Sequence, residues 1–178
     1  MIVRLSGDLS KKIHVTSAQA LPADPNPYAD WSARLFRVGR TQYVLLSNTP
    51  SLYSVIMFGR GITSPASFTE RANRAIRDFM NADGLRFIYE QFVAPVTERV
   101  RFGKALNRSV TGSMNKLVLM ARIQLGNDEA ALTSASLAVN DVLLSALDNG
   151  HGDNYGKPRQ TFKQLGTDVP PSFENQER

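Results

Sequence analysis

The chain has no cysteine and only two histidines, His14 and His151, among its 178 residues. The first absence excludes disulfides, thiolate zinc sites and cysteine nucleophiles together. The second leaves histidine-based metal binding without a ligand set, and no Ser or Asp stands at a spacing from either histidine that implies a triad. No apolar run approaches the length that spans a bilayer, and the start, Met1-Ile2-Val3-Arg4-Leu5-Ser6, lacks the long apolar region of a signal peptide. A soluble, cytoplasmic protein without a membrane partner is expected. Also missing are a phosphate loop, an internal repeat, an acid–base constellation and a recognised RNA- or DNA-binding motif. The loop Gly150-His151-Gly152-Asp153-Asn154 lacks the alternating acidic ligands that calcium needs. No metal or cofactor is indicated, and no residue can be named as catalytic with a known role.

What is present describes an ordinary globular domain: 42% hydrophobic and 21% charged residues, enough to bury a core. Residues 1–165 read as a single domain, and the tail from Gly166, with Pro170-Pro171, reads as disordered. The net charge of +5 is unevenly spread: residues 1–110 hold fifteen Lys or Arg against eight Asp or Glu, while 111–178 hold six against eight. Such a layout permits a basic N-terminal face for nucleic acid or another anion, but scattered arginines on a solvated surface with no partner give the same count and are the commoner cause.

The hydrophobic pattern predicts strands at Ile2–Leu5, Trp31–Val38, Thr41–Ser47, Ser51–Phe58 and Arg99–Lys104, a polar helix or turn over Gly7–Lys12, and a brief strand at Ile13–Val15. Gly39-Arg40 joins two of these runs, and glycine at the first centre of a two-residue connection predicts a type II′ hairpin. Ser64 followed by Pro65 opens a helix that stops at Asp83-Gly84, and a shorter one follows over Leu85–Phe92. A third covers Ser109–Leu125, stopped by Gly126, and an Ala/Ser-rich helix covers Asp128 to about Leu147 with a break near Asn140-Asp141. Pro158–Leu165 reads as one more short helix after a glycine-rich loop at Asn149–Gly156.

These elements predict an α+β fold: an antiparallel or mixed sheet of about five strands, with the helices at 65–82 and 109–125 on one face. The consecutive apolar residues of Val44-Leu45-Leu46 and Val55-Ile56-Met57-Phe58 suggest strands covered on both sides, a point the partial alternation of the hairpin leaves open.

Four motifs in one order, Asn48-Thr49-Pro50-Ser51-Leu52-Tyr53-Ser54-Val55, Gly59-Arg60-Gly61-Ile62, Asp83-Gly84-Leu85-Arg86-Phe87-Ile88-Tyr89-Glu90 and Arg108-Ser109-Val110-Thr111-Gly112-Ser113-Met114-Asn115, resemble a small bacterial domain family of unknown function. The resemblance runs from Met1 to about Leu165. It implies a self-contained domain and, because the family has no assigned activity, no catalytic residue.

Residue types nominate a site. Asn48 and Thr49 stand at a strand junction, Arg60 lies between two glycines after a strand, and Arg108 and Ser109 open a helix that continues through Ser113 and Asn115. Were these ends to coincide, arginines, hydroxyls and a helix N-terminus would converge on one anion. The alternative is that Asn48-Thr49 form a turn and Ser109 caps a helix. Glu90 and Tyr53 are candidate acid–base groups, with an Arg86–Glu90 ion pair and a core tyrosine as their structural counterparts. Two functions follow. One is a module binding nucleic acid or a phosphate-bearing ligand, extending to metal-free RNA cleavage; the other is an accessory or antitoxin-like protein-interaction module in which Ala130–Leu147 packs on a partner protein.

Overall fold

The computed structural model describes residues 1–16, 19–127, 132–147 and 155–166. Five strands, β1 (Ile2–Leu5), β2 (Asp30–Val38), β3 (Thr41–Asn48), β4 (Ser54–Phe58) and β5 (Arg101–Gly103), form one sheet in the order β4-β3-β2-β1-β5. β1 pairs in parallel with both β2 and β5, whereas β3 runs antiparallel to β2 and β4. Four strands therefore point the same way with β3 against them, and the expected α+β class with a mixed five-stranded sheet is the fold observed.

Turn chemistry explains the strand limits. At the β2–β3 connection Gly39 has φ 55° while Arg40 is not among the positive-φ residues, the combination a type II′ turn needs, and Val38 pairs with Thr41. β4 starts three residues later than its apolar run because Asn48–Tyr53 closes a tight turn first. Leu52, at φ 59°, donates its N–H to the Asn48 carbonyl at 2.7 Å, and the Tyr53 carbonyl accepts from Asn48 N–H at 2.8 Å. The strand expected at Ile13–Val15 is absent: those residues form the turn that ends α1 (Gly7–Lys12), with His14 exposed at φ 59°.

The main helices are α2 (Pro65–Ala82), α4 (Arg108–Asn127) and α5 (Leu132–Asn140), with a short α3 (Arg86–Ile88) running into a π turn, and α6 (Pro158–Gln164). Ser64 and Ser67 cap α2 reciprocally, and Pro65 fills its first position, where no N–H is needed. The Ala/Ser-rich segment breaks after Asn140, as expected, and its continuation forms a bridge between Leu144 and Gly156. Residues 128–131, most of the glycine-rich loop and the tail from residue 167 lie outside the described residues.

α2 and α4 do not share a face of the sheet. α1 and α2 pack Leu9, Phe68, Ile76 and Phe79 against Val3, Trp31, Val44, Leu46 and Val55, whereas α4 and α5 pack Leu117, Ala121, Leu125 and Val139 against Phe36, Tyr43, Leu45 and Ile56. The physical reason lies in β3: successive side chains point to opposite faces, and Tyr43, Val44, Leu45 and Leu46 are all buried, so both faces require cover.

α5 also covers the outer edge of β4. Asn140 Oδ1 accepts from Ser54 N–H at 2.7 Å, Asn140 Nδ2 donates to the Ser54 carbonyl at 2.7 Å, and Ser136 Oγ accepts from Ile56 N–H at 3.0 Å. Two helical side chains thus occupy the positions a further strand would take. Among the described residues no helix is long and apolar enough to cross a membrane.

Candidate functional site

The direction of the strands decides which nominated residues meet. Because β4 and β5 run the same way, Arg60 and Arg108 lie toward the same end of the sheet, but β4 and β5 are opposite edges, four strand spacings or roughly 19 Å apart. Asn48 and Thr49 lie at the other end, since Asn48 pairs with Trp31 while the hairpin turn follows Val38, roughly 23 Å along β2. The convergence of all these groups on one anion does not occur.

Each separated residue has a local task. Asn48 is fully buried: its Oδ1 accepts from Ser51 Oγ at 2.6 Å and Ser51 N–H at 3.2 Å, and its Nδ2 donates to the Pro27 and Asp30 carbonyls at 2.8 and 3.2 Å. Thr49 Oγ1 shares a hydrogen bond of 2.9 Å with Ser32 Oγ. At the start of α4, Asn107 supplies the cap, its Oδ1 accepting from Val110 N–H at 2.9 Å, and Arg108 and Ser109 stand exposed beside it. Ser113 is buried in the body of α4 and Asn115 is exposed there.

The acid–base candidates are also engaged. Glu90 accepts from Arg86 Nε at 2.7 Å on an exposed helical surface, which raises the Arg86 pKa through that hydrogen bond and the carboxylate charge. Tyr53 is buried in the core, stacked on Phe162 at 4.4 Å, and its hydroxyl donates to Asp83 Oδ2 at 2.9 Å, with Arg159 3.1 Å from the other carboxylate oxygen. Burial first, then the Asp83 charge, push this phenol far above its ordinary range. Trp31 is likewise a core anchor, donating its indole N–H to the Tyr28 carbonyl at 2.9 Å.

Arg60 does have company, of a kind that reading residues in order missed. With Arg37, Arg40, Thr41, Gln42 and Phe58 it lines an open cleft of about 690 Å³ at the hairpin end. The turn at Gly39 brings Arg37 and Arg40 to one place, Gly59 N–H extends the β3–β4 ladder to the Gln42 carbonyl at 2.7 Å, and Gly61, at φ 75°, turns the chain so that Arg60 stays beside the hairpin. Arg71 Nη1 donates to the Arg60 carbonyl and fixes that turn. All three arginines are exposed, and among the described residues none is in an ion pair. Lys12 Nζ donates to Oε1 of the lining residue Gln42 at 2.9 Å. Phe58 ends a cross-strand ladder, Phe36 on Tyr43 at 5.5 Å and Tyr43 on Phe58 at 5.4 Å, and stays 41% exposed.

A sequence signal for this cleft exists: no Asp or Glu occurs from Trp31 to Thr69. From Trp31 onward the hairpin, β4 and the loop after it therefore carry their arginines without an acidic residue between them, a local pattern that the charge balance of a 110-residue half dilutes.

Comparison with known proteins gives one family: the model described as domain of unknown function (DUF6933) matches residues 2–161. No curated protein and no solved structure matches the chain.

Proposed function

We propose that this chain, which belongs to the DUF6933 family of domains of unknown function, binds the phosphate backbone of single-stranded nucleic acid in the cleft of Arg37, Arg40 and Arg60. The observation that carries this reading is three exposed guanidinium groups around one cavity, with no carboxylate among the described residues paired to any of them. Like charges held together repel, so the arrangement is relieved when an anion enters, and planar guanidinium groups suit phosphate through paired N–H donors. Phe58 favours a nucleic acid over a bare phosphate, because an exposed ring beside cations is what single-strand binders use to stack a base. Glu90 and Tyr53 take no part in it, their polar atoms being engaged by Arg86 and Asp83.

The protein-interaction alternative rested on the small residues of the Ala/Ser-rich helix. In α5, Ala135, Ser136, Val139 and Asn140 are buried against β4 and α4 while Thr133 and Ser134 are exposed, so the buried small residues support packing within the chain.

The test is fluorescence anisotropy of a labelled oligouridylate at about 50 mM salt. Arg37→Ala/Arg40→Ala/Arg60→Ala should weaken binding about tenfold or more, while the control Arg74→Ala/Arg77→Ala/Arg86→Ala, with the same change in net charge, should leave it within about threefold. Equal losses in both variants, or no binding by the unaltered protein, would overturn the reading.

A further inference from the structure

A second cavity lies where the connections leaving β1 and β5 part company. These strands are adjacent and parallel, yet β1 leads into α1 on one face of the sheet and β5 leads into α4 on the other. Adjacent parallel strands whose connections diverge leave a crevice beyond their carboxyl ends, the place where open α/β sheets bind ligands. Here the crevice measures about 340 Å³ and is lined by the β1–α1 connection, the first turn of α4 and the β2 strand.

Its floor is already organised. Arg4 donates Nε and Nη2 to Asp30 Oδ1 and Oδ2 at 2.8 and 2.7 Å, and its remaining donors reach the carbonyls of Leu21, Pro22 and Lys104. Ser32 is held by Thr49. These groups shape the crevice and have little capacity left for a ligand. Two lining residues differ from them: Asp8 and Arg34 are in no ion pair among the described residues, either with each other or with a third group. Asp8 is also the one carboxylate between Met1 and Ala23. In an otherwise cationic end of the sheet, a carboxylate and an unpaired arginine lining the same crevice disfavour a polyanion and suit a ligand with both charges. Met114 supplies an apolar wall.

We infer that this crevice is a binding site for a small zwitterion of the amino-acid class, its carboxylate on Arg34, its ammonium on Asp8 and its apolar body against Met114. The site is independent of the arginine cleft.

The test is a titration of the ¹⁵N-labelled protein with free L-amino acids, followed by amide chemical shifts. At least one apolar L-amino acid should give saturable shifts confined to Ser6, Asp8, Thr111 and their neighbours at or below about 10 mM. Its N-acetyl derivative, which lacks the ammonium, and the corresponding amine, which lacks the carboxylate, should each bind at least about tenfold more weakly, as should the amino acid itself to Asp8→Asn and to Arg34→Gln. The modified ligands keep the comparison meaningful even where a substitution disturbs the fold. Absence of saturable shifts for every amino acid would overturn the inference. So would inorganic phosphate binding there as well as the zwitterion, or affinity unchanged by loss of either ligand charge.

Discussion

Replacing Asn140 by Ala tests whether α5 substitutes for a strand at the edge of the sheet. Asn140 is fully buried and makes three side-chain hydrogen bonds, two to the backbone of Ser54 and one, at 2.8 Å, to the Ser136 carbonyl. The Ser136 carbonyl is four residues earlier in the helix and keeps its helical partner, so its loss is minor. Ser54 is different: its N–H and C=O are left without partners in a buried place, at about 1–3 kcal/mol each. The better helix propensity of alanine returns less than about 1 kcal/mol. A net loss of about 3 kcal/mol follows, which for a chain of this size lowers Tm by roughly 6–12 °C. Urea denaturation should show a lower midpoint with an unchanged slope. Ser136→Ala, which orphans only Ile56 N–H, should lose about half as much. An Asn140→Ala loss below about 1 kcal/mol, or a larger loss for Ser136→Ala, would refute the account of the edge.

Arg4→Met leaves the buried Asp30 carboxylate unpaired and should destabilise by about 3–5 kcal/mol in the same assay, while adding Asp30→Leu should recover part of that loss. Tyr53 gives an alkaline signature. Its folded pKa lies above the ordinary value, so the folded state keeps a proton that the unfolded state releases above about pH 10, and stability falls as pH rises through that range. Tyr53→Phe should flatten this part of the decline, measured as Tm between about pH 9 and 11. At Gly156 a methyl group would collide with the Leu147 carbonyl and stand 2.9 Å from Leu147 Cβ, so Gly156→Ala should lose about 2 kcal/mol or more.

Local signals carried much of the fold. The Gly39-Arg40 turn, Ser64-Pro65 at the start of α2 and the break at Asn140 each rest on chemistry confined to a few residues, and each is found where the sequence indicates it. Facing was legible too, in the unbroken apolar run of β3, although assigning both long helices to one face ignored it. The candidate site was harder to read because it depends on strand order. Arg60 and Arg108 look equivalent in sequence and stand at opposite edges of the sheet, whereas Arg37, Arg40 and Arg60 become neighbours only once β3 and β4 pair. Asn48 drew attention as a polar residue at a strand end, and its buried turn consumes it. The Arg4–Asp30 pair left no sequence signal, since 26 residues separate partners that parallel pairing of β1 and β2 brings together.

The central claim is that the hairpin cleft is where phosphates are held, and the salt dependence of oligouridylate binding tests it most directly. Each phosphate neutralised on a single strand contributes about −0.7 to the slope of log K against log salt concentration. Removing Arg37, Arg40 and Arg60 together should therefore make the slope shallower by about 2, while the control substitutions on α2 and α3 leave it unchanged. The same slope in the cleft variant and the unaltered protein would place the phosphates elsewhere and contradict the account.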